Sequence, residues 1–194
     1  MKLYNNKFSK KANNTFYLRE RFHTEKIIEL VQPRKNDIIL DIGCNQGKLV
    51  KVFRSFTRTV YGCDINREAI KNSKIKGLRV MFADKLEYDN NLFDKIVSSH
   101  VIEHIPNLKG SLVEIKRALK PNGICVLIYP FEIFRGSNNL IEAWNVYNNP
   151  LYSRKLHIHK LCPKKIRKLT DMQIINDGFF LGPYPTYFTV LKKA

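Results

Sequence analysis

Hydrophobic residues in the middle of the chain recur as short, nearly continuous runs separated by polar turns and helix-length segments. Runs of this kind are typical of parallel strands whose two faces are both covered. Five runs are predicted as strands, and they span residues 37–42, 59–63, 78–83, 93–98 and 124–129. The central part of the chain therefore predicts a parallel sheet.

Helix-length segments with apolar residues three to four positions apart lie between and around these runs. Predicted helices span residues 15–31, 46–56, 67–75, 108–120 and 163–172. Strands alternating with helices indicate an α/β fold with a mostly parallel, doubly wound sheet and helices on both faces. Segments 177–180 and 187–191 predict a closing pair of strands, the last of them antiparallel.

The strand–helix rhythm breaks in segment 131–162, which is rich in asparagine and aromatic residues and includes Trp144. It follows the fifth predicted strand, at the edge of the sheet where open α/β folds bind ligands. An insertion at that edge predicts a substrate lid. We therefore expect one domain over 1–194, with an N-terminal helical extension over 1–34 and a lid over 131–162.

Composition supports a globular chain of 194 residues with 44% hydrophobic residues. No apolar run approaches the roughly 18–20 residues that a membrane-spanning helix requires. The polar, lysine-rich N-terminus lacks the apolar core of a secretory signal. The four cysteines lie far apart without a Cys-x-x-Cys pair, which predicts reduced thiols and a cytoplasmic location.

The formal net charge of +17 is concentrated at the two ends of the chain. Segments 1–60 and 151–194 carry +8 and +7, whereas segment 61–150 carries only +2. A basic surface can bind phosphate, acidic glycan, anionic lipid or RNA. Lysine that merely fills solvated faces explains the same charge equally well, because no long basic tract is present.

The chemistry of the chain centres on the end of the first predicted strand. That strand carries Asp41 near its end and continues into the turn Gly43-Cys44-Asn45-Gln46-Gly47 and a helix. The second strand is followed by Asp64, and an acid at this place suits the two hydroxyls of an adenosine ribose. Together these features predict an enzyme that uses an adenosine cofactor.

The turn differs from that of dinucleotide-binding proteins, which carry Gly-x-Gly-x-x-Gly. Here Gly43-x-Asn45-x-Gly47 is one residue shorter, and Lys48 follows it. Nicotinamide and flavin cofactors are therefore disfavoured, and a P-loop is excluded because Gly-Lys-Ser/Thr is absent. Asn45 tolerates a positive φ better than most residues other than glycine.

At this point the chain resembles class I S-adenosylmethionine-dependent methyltransferases, specifically the type 11 (UbiE-like) group. The resemblance is strong over residues 35–130 and weaker over 157–191. Its motifs are the 41–47 turn, Asp64, Ala83-Asp84, the run 92–105, Leu119-Lys120-Pro121-Asn122-Gly123 and Tyr129-Pro130, with His157-x-His159, 163–169 and Gly178-Phe179 near the end. One departure is Asn45, where the family usually has glycine.

The resemblance implies a Rossmann-like fold and S-adenosyl-L-methionine as the cofactor. It implies that Asp41 and the turn lie under the methionine end, that Asp64 holds the ribose, and that Asp84 binds the adenine amino group. Lys85 or Leu86 would flank the adenine, and Ser99 and His100 would border the sulfonium. The implied cofactor-binding residues are Asp41, Gly43, Cys44, Asn45, Gly47, Asp64, Ile65, Asp84, Lys85, Ser99 and His100.

Methyl transfer requires a general base only when the acceptor must lose a proton. Residues of suitable type near the expected site are His100, Glu103, His104, Glu132, His157 and His159. The sequence does not select a catalytic residue among them. His157 and His159, two apart on a possible strand, could form a metal pair, but no third ligand is evident and no metal site is predicted.

The leading hypothesis is methyl transfer to an O or N of a small or medium acceptor, which could be a metabolite, a glycan or a lipid headgroup. Basic chain ends would favour an anionic acceptor. A second hypothesis is an RNA methyltransferase whose basic ends bind phosphate, which is less favoured because no appended RNA-binding domain is visible. A third is a non-catalytic methyltransferase-like binding module, which would not need to keep the cofactor-binding acids.

Overall fold

The computed structural model of the chain describes residues 17–181 and 185–194. The first sixteen residues of the expected N-terminal extension lie outside the described residues. Within the described part, seven strands form one sheet. Their bounds are β1 Ile38–Ile42, β2 Thr59–Asp64, β3 Leu78–Val80, β4 Phe93–Ser99, β5 Leu119–Pro130, β6 Gln173–Leu181 and β7 Pro185–Lys192.

The strand order is β3-β2-β1-β4-β5-β7-β6. Strands β1 to β5 pair in parallel, and β7 runs antiparallel to both of its neighbours. This confirms the mostly parallel sheet with an antiparallel last strand. The chain reverses its direction of winding between β1 and β4, which lie side by side. In open α/β sheets, ligands bind at the carboxyl ends of the strands that flank such a reversal.

Helices cover both faces of the sheet, as the doubly wound fold requires. They are α1 Tyr17–Val31, α2 Lys48–Phe53, α3 Arg67–Lys71, α4 Leu108–Ala118, α5 Leu140–Tyr147, α6 Ser153–Leu156 and α7 Pro163–Arg167. In β5, Val126 packs into the core layer that contains α1 and α2, whereas Leu127 packs into the layer that contains α4 and α7. Successive residues of a strand point to opposite faces, so a strand buried on both sides is continuously apolar.

Several predicted boundaries are wrong. Strand β5 begins at Leu119 and not at residue 124, and helix α3 ends at Lys71 and not at residue 75. Tertiary pairing or a local turn explains three further differences. Helix α7 ends at Arg167 because β6 begins soon after, with Gln173 paired to Lys192. Strand β6 extends well beyond the predicted segment 177–180 because it pairs along almost all of β7. Strand β3 ends early, where the Lys85 N–H donates to the Phe82 carbonyl and closes a turn.

Segment 131–162 contains α5, α6 and short 3₁₀ turns, and it folds back onto the loop after β4. The backbone N–H groups of Ile158 and His159 donate to the Glu103 carbonyl over 2.9 and 3.1 Å. The expected strand carrying His157 and His159 is wrong, because His157 instead ends helix α6. No helix among the described residues is both long and apolar enough to cross a membrane.

Candidate active site

The turn after β1 adopts left-handed backbone conformations at three residues. The φ angles are +78° at Gly43, +49° at Asn45 and +81° at Gly47. Asn45, a residue type that tolerates a positive φ, adopts one here. The N–H groups of Gly43 and Cys44 both donate to the Cys63 carbonyl, over 2.7 and 3.0 Å, so the turn is fixed to the end of β2.

Close packing explains why glycine occupies the two ends of this turn. A Cβ atom at Gly43 would lie 2.1 Å from Cγ2 of Val101, in the loop after β4. A Cβ atom at Gly47 would lie 2.9 Å from Cδ1 of Leu78, at the start of β3. The loops that follow β1 and β4 are therefore in direct contact at the point where the sheet changes direction.

Asp64 connects the turn to the end of β2. Its Oδ2 accepts the Asn45 N–H and its Oδ1 accepts the Asn66 N–H, each over 2.8 Å. Asn66 in turn caps α3, because its side-chain oxygen accepts from Glu68 and Ala69. A carboxylate has about four acceptor positions, so Asp64 can hold the turn and also accept from ligand hydroxyls.

Burial raises the pKa of both acids at the ends of β1 and β2. Asp41 is buried, and burial together with the nearby Asp64 charge raises its pKa well above the usual range. Burial also raises the pKa of Asp64, opposed by the N–H donors of Asn66 and Asn45. Although the whole chain carries +17, this edge of the sheet concentrates carboxyl groups and favours a cationic ligand.

Of the remaining turn residues, Cys44 packs in the core and Asn45 belongs to the candidate site. Cys44 is 6% exposed and packs in the core near Gly62, and burial raises the pKa of its thiol, so only its backbone can contact a ligand. Asn45 Oδ1 is buried without a hydrogen-bond partner in the described part of the chain. That orphaned acceptor, beside three left-handed backbone residues, fits the polar end of a bound cofactor.

Asp84 lies just beyond β3, at the same edge of the sheet. Its Oδ2 accepts from Asn107 Nδ2 over 3.1 Å, and Asn107 also caps α4. Lys85 and Ile65 are exposed at the neighbouring loop ends. Leu86 is 4% exposed and packs in the core, so Lys85 is the residue of this pair that can flank an adenine ring.

Ser99 and His100 lie at the end of β4. Ser99 is the last residue of the strand and pairs with Ile128, whose carbonyl accepts the His100 N–H over 2.8 Å. His100 has a φ of +56°, a strained conformation of the kind found at functional sites. Its ring lies 5.5 Å from that of His23 in α1, measured between centroids, so α1 reaches this edge of the sheet.

The candidate bases gather beside His100. Glu103 Oε1 lies 3.6 Å from His100 Nδ1 and 3.8 Å from His104 Nε2, and Glu132 Oε1 lies 2.6 Å from His157 Nδ1. Burial opposes ionisation of Glu103, but the His104 and His100 rings hold its pKa below the usual value. Burial lowers the pKa of His104, opposed by the Glu103 charge.

His159 is separated from this group. Its Nε2 donates to the Ile105 carbonyl over 2.9 Å. The two histidines of the His157-x-His159 motif therefore have different environments. Sequence spacing alone does not distinguish them, since residues two apart on a strand share one face.

Comparison with known proteins identifies the family. The methyltransferase domain family matches residues 17–167, which is more than half of the chain. The chain belongs to this family. It is a class I S-adenosylmethionine-dependent methyltransferase by fold and sequence, and the cofactor of the family is S-adenosylmethionine.

Two curated relatives of the methyltransferase domain illustrate its range. A 24-methylenesterol C-methyltransferase from Arabidopsis thaliana is 31% identical over 118 residues, covering 55% of this chain and 32% of the plant protein. A ubiquinone biosynthesis O-methyltransferase from Rickettsia prowazekii is 29% identical over 115 residues, covering 53% and 45%. The aligned part of the chain thus spans a third to a half of these relatives.

A solved structure supports the fold. The S-adenosylmethionine-dependent methyltransferase from Mesorhizobium loti superposes with a TM-score of 0.67 at 15% identity, covering 90% of this chain and 97% of that one. At this identity the similarity concerns the arrangement of strands and helices. It agrees with the Rossmann-like sheet described above.

Three residues around the methyltransferase site were missed at the sequence level: Asn66, Val101 and Asn107. Asn66 and Asn107 each precede a helix and cap it, so the preference of helix starts for asparagine could have marked them. Val101 carries no such signal. Its contact with Gly43 depends on two loops that are far apart in sequence.

Proposed function

We propose that this chain transfers the methyl group of S-adenosylmethionine to an oxygen or nitrogen of a small or medium acceptor. The observation that carries the proposal is the hydrogen-bonded unit of the 43–47 turn and Asp64. The sharp turn, the Asp64 carboxylate suited to ribose hydroxyls and the buried Asp41 lie together where the sheet reverses its direction of winding, between β1 and β4. This is the arrangement that a cationic adenosyl ligand requires.

In the proposed site, Asp64 accepts from the ribose hydroxyls, and Asp84 accepts from the adenine amino group while Ile65 and Lys85 flank the ring. Asp41 and the 43–47 turn surround the methionine end. Burial and the Asp64 charge raise the pKa of Asp41, and a cationic ligand would favour its ionised form. Ser99 and His100 border the reacting methyl group. The cofactor, when bound, supplies a methyl group already activated by its sulfonium.

The protein therefore contributes to catalysis mainly by positioning the acceptor relative to the methyl group. Holding the acceptor in line with the methyl group, with water excluded, can supply about 7–11 kcal/mol. The end of β4, paired with Ile128, and the contact between Val101 and Gly43 would position Ser99 and His100 beside the methyl group. Segment 131–162, which folds over the loop after β4, is the proposed lid.

An acceptor with an apolar part and a polar head fits this lid best. The lid carries several large apolar side chains that are exposed to solvent: Ile133, Phe134, Ile141, Trp144, Leu151 and Ile158. Exposed apolar groups concentrated in one segment are typical of binding surfaces. The relatives named for sterol and ubiquinone methylation support a lipid-like acceptor, and the basic chain ends favour an anionic head group.

A cytoplasmic location agrees with the thiol chemistry of the chain. All four cysteines are free thiols, and Cys44, Cys63 and Cys125 are buried. Free buried thiols are typical of a reducing compartment.

Replacing Asp64 by alanine tests the cofactor site. Loss of hydrogen bonds to a charged acceptor costs about 1.5–3 kcal/mol, so affinity for S-adenosylhomocysteine should fall about 10- to 150-fold. Isothermal titration calorimetry measures the change. Asp89→Ala is the control, because it removes the same charge from an exposed turn and should leave affinity unaltered. Equal affinity in the Asp64 variant and the wild type would place the ribose elsewhere.

The acceptor is tested by a methyl-transfer screen with labelled S-adenosylmethionine. Cell extract is separated into lipid, glycan, small-molecule and RNA fractions, and transfer into the lipid fraction is expected. Label in RNA that disappears steeply as salt rises would instead support the RNA hypothesis. Absence of heat with millimolar S-adenosylhomocysteine would support the non-catalytic module.

A further inference from the structure

Three residues outside the cofactor site place metal-ligand atoms close together. One oxygen of Glu103 and one ring nitrogen each of His104 and His157 all lie within 4.8 Å of one another. Glu103 is 1% exposed and His157 is 3% exposed. Both Glu103 oxygens are buried without a hydrogen-bond partner among the described residues. A buried carboxylate in this state is costly unless a cation or a donor satisfies it.

The surroundings of the two histidines set their tautomers. The Leu156 carbonyl can only accept, so His104 Nδ1 carries a proton and donates to it over 2.7 Å. His157 Nδ1 donates to Glu132 Oε1 over 2.6 Å, and Glu132 Oε1 also accepts the Gly136 N–H. In a neutral imidazole, Nε2 is then the lone-pair nitrogen of each ring.

These contacts reproduce the outer shell of a metal site. Histidines that ligate a metal usually donate their other N–H to a carboxylate or a backbone carbonyl, which fixes the ring and raises its basicity. His157 with Glu132 and His104 with Leu156 supply one example of each. The rings of His104 and His157 lie 4.8 Å apart between centroids, so both are held beside Glu103.

We propose that Glu103, His104 and His157 bind one divalent cation. Two imidazoles and one carboxylate select a cation of borderline hardness such as Zn²⁺, Mn²⁺ or Fe²⁺ over Mg²⁺ or Ca²⁺, which prefer oxygen ligands alone. Ligands bonded at about 2.1 Å in a tetrahedron lie about 3.4 Å apart, so small side-chain rotations close the cluster around the ion.

With three protein ligands, at least one coordination position of the ion stays open to another ligand. The cluster adjoins His100, whose Nδ1 lies 3.6 Å from Glu103 Oε1. An oxygen of the methyl acceptor can therefore reach the ion from the side of the proposed reaction space. This role in orienting an oxygen acceptor rests on the proposed function, whereas the binding of the cation does not.

The test is a thermal unfolding series on tag-free protein treated with chelator and then given Zn²⁺, Mn²⁺ or Mg²⁺. Zn²⁺ or Mn²⁺ at about a hundredfold excess over its dissociation constant should raise the midpoint by about 5–10 °C. Mg²⁺ should raise it much less. Calorimetry should give a stoichiometry of about one ion per chain, as one site with three ligands requires.

Matched variants separate this site from adventitious binding. His157→Ala and Glu103→Gln should abolish the shift, and Glu132→Gln should weaken binding about 10- to 100-fold through the outer shell. His159→Ala is the control, because His159 belongs to the same motif but bonds to the Ile105 carbonyl. If His157→Ala fails to fold, the test uses Glu103→Gln, which preserves the side-chain volume. The visible absorption spectrum of Co²⁺ bound to the wild type should be lost or altered in this variant.

Two results would overturn the metal site: no shift in the wild type with any of the borderline ions, or a shift that survives unchanged in Glu103→Gln. The measurements are made without S-adenosylhomocysteine. Metal binding in a chain that binds no S-adenosylhomocysteine would remove the proposed function and leave this site intact. The reverse result would remove only the site.

Discussion

Gly43→Ala is expected to lower the free energy of unfolding by about 2–5 kcal/mol, the sum of left-handed strain and overpacking. Alanine at this position would keep a φ of +78° and place its Cβ 2.1 Å from Val101 Cγ2. Both costs arise at the contact between the loops after β1 and β4. Urea unfolding monitored by circular dichroism measures the change.

Gly77→Ala serves as the matched control for Gly43→Ala. Gly77 also has a left-handed φ, of +83°, but the nearest side-chain atom to its Cβ position is the flexible Arg54 guanidinium at 3.3 Å. This variant should therefore cost only about 1–2 kcal/mol, from strain alone. Similar costs at the two positions would show that contact with Val101 contributes nothing.

A double-mutant cycle isolates the contact further. In a Val101→Ala background, Gly43→Ala should cost little more than the strain of about 1–2 kcal/mol, because both methyl groups are gone and only the Cβ of residue 101, at 3.0 Å, remains close. Strict additivity of the two substitutions would contradict the packing argument. The space that a side chain at position 43 would fill is occupied by Val101.

Asp41→Asn is expected to change cofactor affinity and stability in opposite directions. Removing the buried partner of a cationic ligand should weaken S-adenosylmethionine binding by about 3 kcal/mol, or roughly 100-fold. The same variant should stabilise the cofactor-free protein at neutral pH, because the buried carboxylate and its repulsion by Asp64 disappear. Calorimetry measures the first change and thermal unfolding the second.

The sign of the pH dependence follows from the raised pKa of Asp41. A carboxyl whose pKa is higher in the folded than in the unfolded state binds more protons when folded, so stability falls as pH rises. This loss accumulates between the usual aspartate pKa of about 4 and the raised value. Affinity for the cationic cofactor moves oppositely, since it requires the ionised carboxylate and weakens as pH falls.

Calorimetric titrations with S-adenosylmethionine at a series of pH values from about 5 to about 8 test this pH dependence. The range lies above the usual aspartate pKa of about 4. Wild-type affinity should fall towards acid pH, and the Asp41→Asn curve should be nearly flat. Asp89→Asn, on an exposed turn, should follow the wild type. A steep slope that persists in the Asp41 variant would assign the titration to another group.

Much of the strand–helix framework could be predicted because it depends on local patterns. Buried parallel strands require continuous apolar runs, and sharp turns require glycine or asparagine at positions with left-handed φ. Asn45 is an example, since this turn residue has a positive φ. The ends of α7 and β6 could not be predicted, because pairing between Gln173 and Lys192 moves the boundary.

By itself the sequence indicated the family through the resemblance of its motifs, and it predicted the doubly wound sheet and the acids at the strand ends, because apolar runs and turn residues are local features. Only the tertiary structure placed Val101 against Gly43 and brought His157 beside Glu103 and His104, more than fifty residues earlier in the chain. The physical reason is that the first contact depends on the pairing of β1 with β4, and the second on how segment 131–162 folds back onto the loop after β4. No local periodicity encodes that path.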